Sequence, residues 1–174
     1  MPTTIKFTDV MKKIKNESQI VTLETDKGNI IIELYSECAP LTVANFVKLI
    51  EAGFYDGLTF HRFVKGFVIQ GGDPDGTGTG GPGWTIPGEF KKKKLRELMP
   101  QHEKGVLAMA RKPSPDSAGS QFYICLSDDS TIYEHLNGNY TTFGRVIEGM
   151  DVVESLRERD VMTQVSVKLN KDSA

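Results

Sequence analysis

The chain has 174 residues, of which 39% are hydrophobic and 25% are charged, and these proportions predict one soluble globular domain with a sizeable core. A formal net charge of −2 and a pI near 5.9 argue against nucleic acid as the main ligand. No run approaches the ~20 apolar residues of a membrane-spanning helix, so we expect no membrane partner.

Two cysteines, Cys38 and Cys125, lie far apart in the sequence and match no metal-binding or redox spacing. We expect both to be buried free thiols, as in proteins of a reducing compartment. The first residues, MPTTIKFTDVMKKIKNES, lack the apolar stretch of a secretory signal. Together these features predict a cytoplasmic protein.

Residues 1–18 are predicted to form an N-terminal extension ahead of a folded domain at residues 19–174. Docking of this extension on the domain, binding of a partner and fraying all fit its composition. A short amphipathic helix is predicted within it from the helical spacing of its apolar residues, Phe7, Val10, Met11 and Ile14.

Residues 20–23 and 30–34 are two apolar runs on either side of an Asp-Lys-Gly turn, and they predict a β-hairpin. A helix is predicted to follow from Pro40, a favourable first-turn residue, to Gly53, a favourable terminator. It should cover an open end of the sheet with an apolar stripe that belongs to the core, made of Val43, Phe46, Val47 and Ile50.

The stretch FHRFVKGFVIQGG predicts two short strands, at residues 59–64 and 67–71. Alternation along the first strand would place Phe60, Arg62 and Val64 on one face. A guanidinium in so apolar a run is either a structural arginine, paired or extending to water, or one that faces a substrate beside a hydrophobic pocket. These residues alone favour the structural arginine.

Residues 73–83, DPDGTGTGGPG, predict a loop. The G-x-G-x-x-G pattern that begins at Gly76 is followed by Pro-Gly, so no helix can begin there to face a phosphate. The Asp73/Asp75 pair resembles the start of a calcium loop, but position 12 is Trp84 rather than Glu. The glycines therefore predict tight turns and close approach of the backbone.

Three further strands are predicted at residues 105–110, 119–126 and 140–146, then a helix from about Met150 and a closing strand at residues 165–169. About eight short strands and two main helices predict a mainly β protein. We expect a closed eight-stranded antiparallel β-barrel capped by two α-helices. Because eight strands fill the barrel interior with side chains, a binding site should lie on the outer wall.

Five motifs occur in order: FHRFVKGFVIQGGD from Phe60, GTGTGGPG from Gly76, LAMAR from Leu107, GSQFYI from Gly119 and FGRVIEGMDVV from Phe143. With these motifs the chain resembles the cyclophilins, the peptidyl-prolyl isomerase family that binds cyclosporin, over about residues 20–170. The resemblance implies a cyclophilin-like barrel with a helix at each end and a substrate groove on one wall. It also places the family's catalytic arginine on Arg62, which overturns the structural interpretation of that residue.

The resemblance further implies three catalytic and eight substrate-binding positions, and no metal or cofactor. The catalytic positions are Arg62, Phe67 and Gln70. The substrate-binding positions are Val68, Ala110, Arg111, Gln121, Tyr123, His135, Leu136 and Tyr140.

This chain departs from the family's common pattern in the groove. Many members have Trp where this chain has His135, and the loss of an indole N–H and a large apolar surface predicts at most weak cyclosporin binding. Phe is more usual at Tyr123, Asn at Arg111 and His at Tyr140. None of these changes touches Arg62, so we expect activity to survive with a shifted peptide preference.

We therefore expect a monomeric peptidyl-prolyl cis-trans isomerase that assists protein folding by catalysing rotation about X-Pro bonds. Its expected partners are proline-containing peptides and unfolded or flexible protein segments, and Arg62 is expected to stabilise the twisted amide. The alternative is a non-catalytic proline-peptide binding module or holdase chaperone on the same fold. A barrel that binds a small ligand ranks last, because no polar cluster in the sequence supports it.

Overall fold

The computed structural model describes residues 18–170 of the chain, which form eight β-strands, three α-helices and two short 3-10 helices. The strands are β1 (Ser18–Thr25), β2 (Gly28–Leu34), β3 (Arg62–Val64), β4 (Val68–Gly71), β5 (Val106–Met109), β6 (Phe122–Cys125), β7 (Thr142–Glu148) and β8 (Met162–Asn170). The helices are α1 (Pro40–Glu51), α2 (Lys93–Arg96) and α3 (Met150–Ser155), and the 3-10 helices span Glu89–Lys91 and Ser130–Tyr133.

The eight strands form one antiparallel sheet in the order β3-β4-β6-β5-β7-β2-β1-β8. The predicted antiparallel strands are confirmed, but the sheet is an open half-barrel rather than the predicted closed barrel. No ladder within residues 18–170 joins the two edge strands, β3 with three residues and β8 with nine. The segments just before these strands meet instead, through an isolated bridge between Thr59 and Val161.

The apolar stripe of helix α1 belongs to the core, as predicted. The Phe46 ring centroid lies 5.1 Å from those of Tyr55 and Phe143 and 5.4 Å from that of Phe122. All four rings are buried, and burying side chains of this size contributes much of the hydrophobic stabilisation of a domain. The core therefore lies between α1 and the concave side of the half-barrel.

The N-terminus of α1 is stabilised by a residue from a distant part of the chain. Ala39, the residue before the helix, offers no side-chain cap. The buried Glu89 carboxylate instead accepts hydrogen bonds from the N–H groups of Leu41, at 3.1 Å, and Thr42, at 2.6 Å, and from the Thr42 hydroxyl at 2.7 Å. A negative charge at this end also complements the helix dipole.

The first strand of the FHRFVKGFVIQGG stretch begins later than predicted. Strand β3 begins at Arg62, because the backbone of Phe60 pairs elsewhere: its N–H donates to the carbonyl of Asp160 and its carbonyl accepts from the N–H of Arg159. Phe60 is fully buried in the main core, whereas Val64 packs against a separate cluster on the outer wall. The prediction that these two residues share one face is therefore wrong.

Two other predictions concern the ends of the chain and its thiols. Strand β1 begins at Ser18, one residue before the predicted domain boundary, and the predicted N-terminal helix lies outside the described residues. Cys38 and Cys125 are free and buried, as predicted. None of the helices in residues 18–170 is long and apolar enough to cross a membrane.

Candidate active site

The strand registers bring the predicted polar residues together on the outer wall. Arg62 lies opposite Gln70 across β3 and β4, and Gln70 lies opposite Tyr123 across β4 and β6. Residues directly opposed on antiparallel strands point to the same face of the sheet. Their neighbours Ile69 and Ile124 are fully buried in the main core, so Arg62, Gln70 and Tyr123 share the opposite, outer face.

A chain of hydrogen bonds connects the arginine to a backbone carbonyl of the glycine-rich loop. Arg62 Nη1 donates to Gln70 Oε1 at 3.3 Å, Gln70 Nε2 donates to Gln121 Oε1 at 2.9 Å, and Gln121 Nε2 donates to the Gly80 carbonyl at 2.9 Å. The Gly80 carbonyl can only accept, so the orientation of the Gln121 amide is determined, and that of Gln70 follows from it. The two glutamines therefore present one oriented acceptor, Gln70 Oε1, to the exposed guanidinium.

The glycine-rich loop is organised around the buried carboxylate of Asp73. This carboxylate accepts hydrogen bonds from four backbone N–H groups, those of Asp75, Thr77, Gly78 and Gly80. Burial by itself raises the pKa of Asp73, but the four donors together outweigh it and hold that pKa below its ordinary value. The N–H groups that the G-x-G-x-x-G pattern suggested for a phosphate face this internal anion instead.

Gly80 shows why the loop needs glycine. A Cβ atom at this position would lie 2.1 Å from Asp73 Oδ1, so any other residue would displace the carboxylate. The same residue supplies the carbonyl that orients Gln121. The sequence pattern therefore marks close backbone approach, as predicted, and that approach supports the site.

The apolar part of the site is a cluster on the outer wall, separate from the main core; we call it the outer cluster. Its buried members come from three adjacent strands and the second 3-10 helix, and are Val68, Ala108, Tyr123, Cys125 and Tyr133. Partly buried side chains pack against it from the exposed side, and these are Val64, Phe67, Ala110, Leu136 and Tyr140. Six of the predicted site residues thus form one apolar surface beside Arg62.

The buried Tyr133 contacts both the ring and the backbone of Phe67. Its ring stacks on the Phe67 ring with centroids 5.4 Å apart and an interplanar angle of 20°. Its hydroxyl donates to the Phe67 carbonyl and accepts from the N–H groups of Leu126, at 3.0 Å, and Ser127, at 2.9 Å. His135 also stacks near the Phe67 ring, with centroids 6.5 Å apart, and is exposed.

The Arg111 guanidinium uses most of its N–H donors for contacts within the protein. Its guanidinium lies over the rings of Tyr140, at 4.5 Å, and Phe90, at 5.2 Å. It donates to the carbonyls of Asn139, Lys112 and Pro113. Because these carbonyls come from two loops, Arg111 connects the loops that border the outer cluster.

The backbone N–H of Ala110, a predicted substrate-binding position, is occupied within the protein. The Ala110 N–H donates to the Gln121 carbonyl at 3.0 Å, so it is already used within the protein. Its side chain packs against the outer cluster.

Three supporting residues were not predicted: Asp73, His102 and Tyr133. Each is buried and carries a polar group; His102 and Tyr133 contact residues far away in the sequence, whereas Asp73 contacts its own loop. Tyr133 and His102 sit in polar stretches without periodicity, so only a three-dimensional structure reveals them. Asp73 had a signal, since an acidic residue before a run of glycines is well placed to accept several N–H groups.

Metal-ligating side chains are not gathered at this wall. Across residues 18–170, no three His, Cys, Asp or Glu side chains are grouped so that they could hold a metal ion.

Comparison with known proteins identifies relatives of this arrangement. A family model described as cyclophilin type peptidyl-prolyl cis-trans isomerase/CLD matches residues 20–172. The chain is 48% identical over 143 residues to peptidyl-prolyl cis-trans isomerase B of Bacillus subtilis, covering 82% of this chain and 93% of that protein. It is 47% identical over 154 residues to a peptidyl-prolyl cis-trans isomerase of Synechococcus elongatus, covering 87% of this chain and 97% of that protein.

A solved structure has a similar fold. It is a cyclophilin type peptidyl-prolyl cis-trans isomerase of Cryptosporidium parvum, crystallised in the presence of the dipeptide Ala-Pro. The TM-score is 0.74 and the sequence identity is 30%, and the match covers 87% of this chain and 99% of that one.

Proposed function

Because the chain belongs to the cyclophilin-type peptidyl-prolyl cis-trans isomerases and is therefore an isomerase of X-Pro peptide bonds, we propose that it acts by stabilising the twisted amide through Arg62. The observation that carries this proposal is the guanidinium held by Gln70 and Gln121 beside the outer cluster. A cation with directed donors next to an apolar pocket suits a substrate that presents a proline ring and a polar amide together.

The chemistry requires no covalent step. A peptide C–N bond resists rotation by ~18–20 kcal/mol because the nitrogen shares its lone pair with the carbonyl. Before proline the two isomers differ by only ~0.5–1 kcal/mol, but they exchange over tens of seconds or longer. At the twisted state conjugation is lost and the lone pair returns to nitrogen, which becomes a better hydrogen-bond acceptor. A donor aimed at that nitrogen therefore binds the transition state more strongly than either planar isomer.

Arg62 has the donors for this task. A guanidinium carries five N–H groups, and within residues 18–170 that of Arg62 donates only to Gln70. A thousandfold acceleration requires lowering the barrier by ~4 kcal/mol. Removing one preorganised donor from an active site typically costs ~3–4 kcal/mol, so a single well-aimed arginine supplies the required magnitude.

The outer cluster is suited to the proline side of the bond. Phe67, Val68, Tyr123 and Leu136 offer an apolar surface on which the pyrrolidine ring can be buried. With the ring held, the carbonyl group before the proline is the part that rotates. We propose that Phe67 and Gln70 belong to the catalytic set, and that the other predicted groove residues bind the flanking peptide.

One solved relative was crystallised in the presence of the dipeptide Ala-Pro. We propose that this chain takes X-Pro segments of unfolded or flexible proteins, because a site on an open wall accepts a chain passing across it. Such a substrate range would allow it to assist protein folding in the cytoplasm. We expect at most weak cyclosporin binding, since the exposed His135 stands where an indole is common in the family.

The experiment combines binding and exchange for one peptide. A short peptide with a single Ala-Pro bond is titrated into the ¹⁵N- and methyl-labelled protein, and cis-trans exchange of the peptide is followed by NMR in the same samples. The proposal predicts accelerated exchange and the largest shift changes at Val68 and Leu136. Accelerated exchange with changes confined to the inner face or to β8 would contradict the proposed site, and binding without acceleration would contradict the catalytic role of Arg62.

A further inference from the structure

A chain of polar side chains lies buried beneath the outer cluster. The Tyr123 hydroxyl lies 2.7 Å from His102 Nε2, and His102 Nδ1 lies 2.9 Å from Asn137 Oδ1. The backbone N–H of His102 also donates to Asn137 Oδ1, at 2.7 Å. His102 is 1% exposed and Tyr123 is 5% exposed, so these contacts are sheltered from water.

The direction of each hydrogen bond follows from the backbone. The His102 N–H can only donate, so Asn137 presents its carbonyl oxygen to His102. The imidazole Nδ1 must then carry the proton, and Nε2 is left to accept from the Tyr123 hydroxyl. Burial lowers the pKa of His102 and outweighs the hydrogen bond to Asn137, which raises it, so the neutral ring and this tautomer are favoured.

This network connects three parts of the site. Tyr123 belongs to β6, on the outer wall, and Asn137 follows directly after Leu136, which packs against the outer cluster. The His102 ring also stacks on Tyr123 with centroids 5.8 Å apart and lies 6.3 Å from the ring of Tyr133, which supports Phe67. The buried His102 ring thus lies against Tyr123, Tyr133 and the loop that contains Leu136 and Asn137.

We propose that His102 is a positioning residue of the isomerase: it holds the Tyr123 ring and the Leu136 loop at the separation that fits the pyrrolidine ring. This inference rests on the proposed function of the outer cluster. His102 contacts no substrate atom in this scheme. It also occupies the Tyr123 hydroxyl, so the tyrosine presents only its ring to the proline. The structural alternative is that His102 merely satisfies a buried hydroxyl.

Two variants separate these roles. His102→Phe breaks both hydrogen bonds and leaves the Tyr123 hydroxyl unpaired, and the double variant His102→Phe/Tyr123→Phe removes that unpaired hydroxyl as well. Replacing both partners of a buried hydrogen bond is much less destabilising than removing one. The double variant should therefore regain melting temperature, but its peptide dissociation constant and KM should stay raised, because the ring contact with Asn137 is still lost and only the backbone hydrogen bond to Asn137 remains.

Asn137→Ala tests the same link from its other end without emptying the buried ring site. We expect KM and the peptide dissociation constant to rise roughly three- to tenfold, the range that corresponds to losing an ordinary hydrogen bond. Tyr55→Phe is the control, because Tyr55 is as buried as His102 and its hydroxyl donates to the Ser120 carbonyl at 2.8 Å, away from the outer cluster. It should lower stability and leave KM at the native value.

The outcomes distinguish this inference from the proposed function. If the double variant regains both stability and KM, or if Asn137→Ala binds the peptide as the native protein does, His102 has only a structural role and the inference fails while Arg62 chemistry stands. If the native protein does not accelerate exchange at all, the proposed function fails first. Imidazole ¹⁵N shifts give an independent check, since a protonated Nε2 in the native protein would contradict the network.

Discussion

Replacing Gln121 by leucine tests how far the catalytic arginine depends on its supporting amides. Gln121 accepts from Gln70 and donates to the Gly80 carbonyl, each at 2.9 Å. Leucine has a similar volume and can do neither. Gln70 would keep only its 3.3 Å contact with Arg62, so both side chains would sample several orientations.

The structure gives the magnitude. Each of the two hydrogen bonds contributes about 0.5–1.5 kcal/mol net, and the half-buried Gly80 carbonyl can turn to water, so unfolding should become easier by only about 1 kcal/mol. The larger effect is on the reaction, because a misdirected donor stabilises the twisted amide less. A loss of about 1.4 kcal/mol in transition-state stabilisation lowers kcat/KM roughly tenfold.

The assay is kcat/KM for cis-trans exchange of an X-Pro peptide, alongside urea unfolding of each variant. Gln121→Glu keeps an acceptor for Gln70 but cannot donate to Gly80, so it should lose less activity than Gln121→Leu. Gln164→Leu, at an exposed position of β8, controls for the change in composition. A folded Gln121→Leu protein with kcat/KM within about twofold of native would refute the claim that the amides aim Arg62.

Three further predictions concern stability and reactivity. Glu89→Ala removes the acceptor for three hydrogen bonds at the start of α1 and should lower the free energy of unfolding by about 2–4 kcal/mol in urea titrations, whereas the exposed Glu134→Ala should change it little; equal effects would contradict the capping role. The pKa of Asp73 is lowered from its ordinary 3.8, so its carboxylate should stabilise the loop fully above that pH and progressively less below it. The free energy of unfolding of the native protein should therefore fall more steeply with acid than that of Asp73→Asn. Parallel curves for the two proteins would count against the Asp73 hydrogen bonds. Burial raises the pKa of Cys38 and of Cys125 to about 12, so a thiol reagent at pH 7 should label both only after unfolding, and rapid labelling of the native protein would show that these thiols are accessible.

Local patterns in the sequence predicted the elements whose partners are nearby. The β1–β2 hairpin follows from alternating apolar runs around a short turn, and α1 follows from an apolar stripe with Pro40 at its start. Both depend on contacts within a few residues, or on one clearly apolar face. Closure of the barrel depends instead on whether the two edge strands pair with each other, and no local pattern indicated that β3 would have only three residues.

The site was predictable as far as family motifs mark it. The positions of Arg62, Gln70 and Gln121 came from the resemblance, and the structure brings them into hydrogen-bond contact. The support beneath them could not be predicted, because His102 and Tyr133 are buried by residues distant in sequence and lie in stretches without periodicity. A polar residue in such a stretch is expected at the surface unless its partner is known.

The most direct test of the account compares the native protein with Arg62→Ala and Arg62→Lys in one NMR exchange experiment on a saturating X-Pro peptide, with the dissociation constant measured on the same samples. The account predicts that Arg62→Ala loses roughly a hundred- to a thousandfold in catalysed exchange while binding changes much less, because the arginine acts on the twisted state. Arg62→Lys should restore little of the rate, since an ammonium lacks the planar fork of donors. A folded Arg62→Ala protein that binds and isomerises the peptide at the native rate would contradict the central claim.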